Sequence, residues 1–413
     1  MAVSPSLLSC TARWPRAIFV ASYPPRECGI ATFTRDLIAA VDRLNPAAPG
    51  RIVAITDPGK SYAYPPAVKW QIQRDLDNGY EEAAEIVNDG PYDVVNIQHE
   101  YGLFGGAYGS HLFRFLDWLR KPVVLSMHTT LPNPNPELRS VTRRLVERAD
   151  RTIVLARTAI DILARDYGAD CSRVRFVPHG VPNVHPISPD GAKQALGLGR
   201  HPVLATCGLM NPGKGIEYAL EAVAGLVDEF PDLVYLVAGE THPGVRAQMG
   251  EAYRDQLEAQ VRRLGLQDHL VFENRYLAYR ELVLHLLACD VYVVPYLDLN
   301  QIVSGTLAYA IGCGRAVVST ASAYAREILA DGRGLLAEAR SASSLQSRIG
   351  ALLRNPEYRR QVQSRAYDYG HEMIWPNVAR AYVEVFRAAC ESRVSVPPII
   401  VEPAASFLEA LTA

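Results

Sequence analysis

Short β-branched runs punctuate the chain at spacings that leave room for helices. In the first half they fall at 17–20, 52–55, 94–97, 123–125, 153–155 and 174–177. In the second half they fall at 203–205, 233–237, 269–272, 291–294, 316–318 and 334–336. Most are continuously apolar rather than alternating, the pattern of parallel strands buried on both faces. Amphipathic stretches separate them, among them 79–88, 138–148, 216–229 and 253–264. Strand–helix alternation on this scale predicts βαβ units and an α/β chain of two Rossmann-like, doubly wound domains. The segment 181–200, with Pro182, Pro186, Pro189, Gly191, Gly197 and Gly199, reads as the linker between them. Units at 16–186 and 200–370 would face each other across a central cleft at the carboxyl ends of their strands, where open α/β sheets bind ligands.

Composition narrows the function without naming it. The 413 residues are 49% hydrophobic and 21% charged, with a net charge of −2. That balance carries no polybasic signature for nucleic acid or an anionic membrane. No apolar run reaches membrane-spanning length, and the first fifteen residues lack the apolar core of a secretory leader, so neither is expected. Seven scattered cysteines, never spaced CxxC, argue against a disulfide framework or a zinc site and predict a cytoplasmic protein. Lysine occurs only at 60, 69, 121, 193 and 214, so a lysine inside a glycine-rich loop stands out.

Three loops carry candidate chemistry. The first, Tyr23 to Thr34, follows the first strand and places Gly29 where a helix begins. A glycine there lets a ligand approach the backbone, and free helix-start amides favour an anion. A tight turn without a ligand is the plain alternative, and no GxGxxG fingerprint is present. The second loop, Gly208-Leu209-Met210-Asn211-Pro212-Gly213-Lys214-Gly215, sets Lys214 between two glycines at a helix start. It is not a P-loop, but its ammonium can pair with a phosphate. The third follows the strand at 291–294 and ends in Ser304-Gly305-Thr306, an N-cap with unsatisfied amides suited to a diphosphate. A solvated lysine and an ordinary capped helix are the plain readings of these two. His99 with Glu100, and His128 with Thr129, stand where strands give way to loops, and such a histidine can bond a sugar hydroxyl or carry a proton. His179 lies nearer the linker and ranks below them. Thr241-His242-Pro243 either lines the cleft or forms a loop before the helix near Tyr253. Asp75-Leu76-Asp77 forms a DxD triplet in a polar stretch and reads as a solvated helix approach, not a metal site.

Over 16–389 these motifs resemble the retaining, nucleotide-sugar-dependent glycosyltransferases of family four (glycosyl transferases group 1), which have the GT-B fold. Segment 208–222 is similar to the family's G-R-L-x-x-x-K-G loop, and 295–320 to its E-x7-E segment. The stretch 371–392, with Trp375, is similar to the terminal helix that crosses back onto the first domain, and 393–413 reads as a tail. Three positions depart from the pattern. Leu209 replaces the arginine for the diphosphate, Gln301 replaces the first glutamate and Tyr309 the second. The first glutamate usually bonds the donor sugar and the second the nucleotide ribose.

The resemblance implies transfer of a hexose from a nucleoside-diphosphate sugar to a hydroxyl acceptor, a sugar or glycan. Attack comes from the front face, the leaving phosphate assists deprotonation, and neither a metal nor a further cofactor is required. His128, Lys214 and Gln301 would serve catalysis. Gly29, Lys214, Arg275, Gln301, Ser304, Gly305, Thr306 and Tyr309 would hold the donor, with Arg275 standing in for the missing arginine. His99 and Glu100 would face the acceptor. GDP-mannose is the first donor expected and UDP-glucose the second. A non-catalytic nucleotide-sugar-binding protein and a nucleotide-sugar epimerase on the same fold are the alternatives.

Overall fold

The computed structural model describes residues 14–76, 78–185 and 188–394; Asp77 of the DxD triplet and the stretch 395–413 lie outside them. Two parallel sheets dominate. The first contains β1 (Ala17–Ala21), β2 (Arg51–Thr56), β3 (Val68–Gln73), β4 (Val94–His99), β5 (Val123–Met127), β6 (Arg151–Val154) and β7 (Val174–Phe176), in the order β3-β2-β1-β4-β5-β6-β7. The second contains β8 (Val203–Cys207), β9 (Val234–Ala238), β10 (Leu270–Glu273), β11 (Val291–Val294), β12 (Ala316–Thr320) and β13 (Leu335–Ala337), in the order β10-β9-β8-β11-β12-β13. Central strands such as β1 and β8 are buried throughout, which is why they read as unbroken apolar runs. The strand at 68–73 was not anticipated. It alternates Val68, Trp70 and Ile72 with Lys69, Gln71 and Gln73 because it is an edge strand, half open to solvent.

The first sheet is flanked by α1 (Gly29–Leu44), α2 (Gly79–Asp89), α3 (Leu112–Trp118), α4 (Pro136–Arg148) and α5 (Thr158–Tyr167). The second carries α6 (Pro189–Ala195), α7 (Ile216–Ala224), α8 (Pro243–Met249), α9 (Ala252–Leu264), α10 (Tyr279–Ala288), α11 (Gly305–Gly312), α12 (Ala323–Ile328) and α13 (Ala342–Arg354). Helix α7 stops short of the 216–229 expectation. Gly225 lies beneath Gln346, whose Nε2 donates to its carbonyl at 2.6 Å, and a Cβ there would sit 2.5 Å from that amide. The stretch 181–200 also differs from a plain linker, because it contains α6, packed on α10. The buried Lys193 of α6 is held by the Asp290 carboxylate at 2.7 Å and donates to the His201 carbonyl at 2.8 Å.

After α14 (Pro356–Glu372) the chain returns as α15 (Trp375–Val394) and packs against α1 of the first lobe. Val378, Tyr382, Phe386 and Ala389 form its buried stripe, three or four residues apart as a helix face requires. Phe386 meets Phe19 of β1 edge-on at 6.1 Å. Burying each large side chain here contributes about 1.5–3 kcal/mol. The crossing points lie side by side: Val181 bridges Ile374, with Val181 N donating to Met373 O and Trp375 N to Val181 O. Among the described residues no helix is long and apolar enough to cross a membrane.

Candidate active site

Strand order reverses between β1 and β4 and again between β8 and β11, and the loops at those reversals face each other. Two glycines shape the loop after β8. Gly208 sits at φ +119° and Gly215 at φ +62°, and a Cβ on Gly215 would lie 2.2 Å from the Pro295 carbonyl. Only glycine combines that backbone with that approach. Leu297 N donates to Gly213 O at 2.9 Å, which zips this loop to the one after β11. Lys214 is thereby brought to Tyr296. Its Nζ lies 3.9 Å from the ring centre and donates to the hydroxyl at 2.5 Å. That hydroxyl is 3.2 Å from Thr306 Oγ1. Ser304 caps α11 through its Oγ, which accepts from Leu307 N at 3.4 Å. The amides of Gly305 and Thr306 therefore open the helix at its positive end, where no intrahelical acceptor exists.

The first lobe supplies the opposite wall. Cys28 caps α1, and Gly29 starts it with open space where a Cβ would stand. Phe33, one turn on, meets His128, His179 and Trp375 edge-on at 4.8, 4.9 and 5.3 Å. His128 Nε2 donates to Gln98 Oε1 at 2.7 Å, and Gln98 in turn donates to Asn96, a polar chain buried between β4 and β5. Burial, with lesser contributions from His179 and His99, lowers the His128 pKa to about 3. Burial lowers that of His179 to about 4. Both imidazoles are neutral at pH 7, which suits hydrogen bonding to a hydroxyl rather than carrying a proton. Glu100 accepts from Tyr101 N at 2.9 Å and from Thr129 Oγ1 at 2.6 Å; burial raises its pKa against those two bonds.

Two adjoining cavities of about 500 and 580 Å³ occupy the cleft. Gly29, Lys214, Gln301, Ser304, Gly305, Thr306 and Tyr309 line the first, and Gly29, Glu100, His128, Lys214, Gln301 and Gly305 the second. Two expected residues lie elsewhere. His99 is completely buried, stacked on Phe104 at 5.8 Å, and neither ring nitrogen finds a hydrogen-bond partner among the described residues. Successive strand residues point to opposite faces, so the Gln98 side that meets His128 is not the side His99 takes. Arg275 is 47% exposed and stitches a turn, pairing with Glu273 at 2.5 Å and Glu281 at 2.7 Å; it lines neither cavity.

The structure adds residues the sequence reading ranked low or passed over. His179 lines both cavities, and a Cβ on Gly305 would lie 3.2 Å from its Nε2. His242 lines the cleft, and it also caps α8, a short helix that comes before the expected one near Tyr253. Tyr276, in the β10–α10 turn, and Tyr279, which opens α10, were missed, as was Tyr296. Contacts join the lobes directly. The Tyr309 hydroxyl donates to Asp36 at 3.2 Å, and Thr32 and Tyr276 share a hydrogen bond at 3.1 Å. On α12, Glu327 accepts from Arg157 N, Thr158 N and Thr158 Oγ1 at 2.7–2.9 Å, capping α5 of the other lobe.

Comparison with known proteins meets this geometry. The family model for Glycosyl transferases group 1 matches residues 192–369, and that for Glycosyltransferase Family 4 matches 30–183. A D-inositol 3-phosphate glycosyltransferase of Geodermatophilus obscurus is 28% identical over 346 residues, 76% of this chain and 72% of that one. One from Mycobacterium sp. (strain JLS) is 30% identical over 254 residues, 56% of this chain and 52% of that one. The structure of Anabaena HepE with UDP and glucose superposes with a TM-score of 0.70 at 16% identity, covering 89% of this chain and 98% of that one. Sucrose-phosphate synthase from Thermosynechococcus elongatus gives 0.73 at 17%, covering 91% and 100%. Family models over both lobes, and a two-sheet architecture shared with these structures, make one conclusion plain: the chain belongs to the group 1, family-four-like glycosyltransferases and has the GT-B fold.

Proposed function

We propose that the protein moves a hexose from a nucleoside-diphosphate sugar to a hydroxyl of a sugar or polyol acceptor, with retention of configuration. The observation that carries this is the convergence of Lys214, Gln301 and the amides of Gly305 and Thr306 on one cavity between the lobes. An ammonium and the positive end of a helix together suit a departing diphosphate, and such preorganised charge is a large catalytic contribution. Gln301 retains the donor and acceptor atoms needed to orient a sugar without the charge of a glutamate. His128, neutral, bonds the same sugar from the first lobe, and Glu100 accepts from an acceptor hydroxyl. The sugar is attacked on the face the diphosphate leaves, and the leaving phosphate oxygen takes the acceptor's proton. The lobes, already joined at Tyr309 and Thr32, limit water at the reacting carbon.

GDP-mannose and UDP-glucose are the donors to test first; UDP in the structure of Anabaena HepE supports the second. The acceptor named for the inositol 3-phosphate relatives supports a polyol. The test is chromatography of each donor with and without an acceptor mixture containing myo-inositol, its phosphate and hexoses. A transferase releases nucleoside diphosphate and makes a glycoside only with acceptor. An intact donor would leave a binding protein, and a changed sugar without acceptor an epimerase.

A further inference from the structure

Leu209 lines the donor cavity where the family motif carries an arginine, leaving Lys214 as the cation of the β8–α7 loop. Arg35, which faces that loop from α1 of the first lobe, is committed to Asp36 at 2.8 Å. Tyr296 stands beside the gap. Its side chain is 5% exposed and forms part of both cavities. A phenol has two lone pairs and one proton. Lys214 can only donate, so its bond at 2.5 Å occupies a lone pair and leaves the phenolic proton to Thr306 or to a ligand.

We propose that Tyr296 is a leaving-group residue, whose hydroxyl donates a hydrogen bond to a terminal phosphate oxygen of the donor's diphosphate in place of the arginine absent at 209. This rests on the nucleotide-sugar reading above. As the bond from the sugar's anomeric carbon to that phosphate lengthens, charge gathers on the phosphate and the phenolic bond strengthens, with the proton remaining on Tyr296. Burial works to raise the Tyr296 pKa, but the Lys214 ammonium and the bonds from Lys214, Thr306 and Ser304 outweigh it and hold the phenol below its ordinary value. A more acidic phenol is the better donor to an anion.

Calorimetry of UDP, GDP and ADP, each beside its monophosphate, tests this on the full chain. In Tyr296→Phe the diphosphate that binds the parent loses about tenfold in affinity, while the monophosphate stays within about twofold, the size of one charge-assisted bond. Leu209→Arg restores the diphosphate in the Phe background and adds less than about threefold to the parent, a non-additive cycle. Equal diphosphate affinity in parent and Phe variant, or equal loss of both nucleotides, overturns the role of Tyr296. If none of the three diphosphates binds the parent, the nucleotide-sugar reading has failed first. Should the Phe variant not fold, 3,5-difluorotyrosine at 296 keeps the shape and lowers the phenol pKa. The alkaline limit of diphosphate binding must then move to lower pH, and an unmoved limit overturns the proposal.

Discussion

His99→Phe separates packing from function at a residue whose sequence position suggested both. Burial pulls the His99 pKa from the ordinary 6.5 down to about 4, with no charged group contributing. The unfolded chain therefore takes up a proton near pH 6.5 that the folded chain refuses until about pH 4. Stability is complete above pH 6.5 and drains away as pH falls through that window, because the unfolded state binds more protons there. A gap of 2.5 units is worth about 3.4 kcal/mol in all, and integrating the two titrations gives about 2 kcal/mol lost between pH 7 and pH 5. Phenylalanine keeps the stacked ring on Phe104 and removes the titration. Any constant packing change cancels when the variant is compared with the parent at two pH values. Tryptophan fluorescence in a urea series is the assay. Trp14, Trp70 and Trp118 lie in the first lobe and Trp375 packs against it, so the signal follows the unit that contains His99. The variant should gain about 2 kcal/mol on the parent from pH 7 to pH 5, with nucleotide affinity unchanged. A parent–variant difference constant to within about 0.5 kcal/mol across that range refutes the argument.

The remaining predictions concern the cleft and the join between lobes. Lys214→Ala should weaken calorimetric binding of the recognised diphosphate by about 10- to 100-fold, the value of a hydrogen bond to a charged group, and unchanged affinity removes Lys214 from the site. Lys193→Met strips the buried Asp290 of its 2.7 Å partner, leaving Arg359 at 3.7 Å. It should cost about 3–5 kcal/mol in denaturant unfolding followed by circular dichroism, and a loss under about 1 kcal/mol counts against a paired buried charge. Glu327→Ala removes the three bonds that cap α5 from the other lobe. It should lower the calorimetric melting temperature by several degrees, equivalent to about 2 kcal/mol, with Glu327→Gln losing less; an unmoved melt means the cap is idle.

The buried strands were legible because parallel strands covered on both faces leave continuous apolar runs, as at 291–294. The edge strand at 68–73 escaped because it keeps one face polar, although its alternation was there to be read. Lys214 and Ser304 could be placed together from topology alone, since a doubly wound sheet carries both loops to one reversal point. His99 could not be separated from His128 that way, because both end strands and only the partner of each face distinguishes them. The Tyr309–Asp36 bond spans 273 positions, and no local pattern announces a contact of that kind. Nothing local marks Tyr296, because its chemistry depends on Lys214, 82 positions away.

The returning helix α15 makes the first lobe a composite of two distant stretches of polypeptide, with the second lobe spliced between them. During synthesis the usual amino-terminal-first order cannot finish here. The apolar flank of α1 stays bare while the rest of the first lobe and the whole second lobe emerge, and it is covered only when Trp375 and the residues after it leave the ribosome. A fragment ending near the crossing point at Val181 inherits that bare flank permanently, so recombinant halves of this enzyme should be drawn with α15 grafted back onto the first.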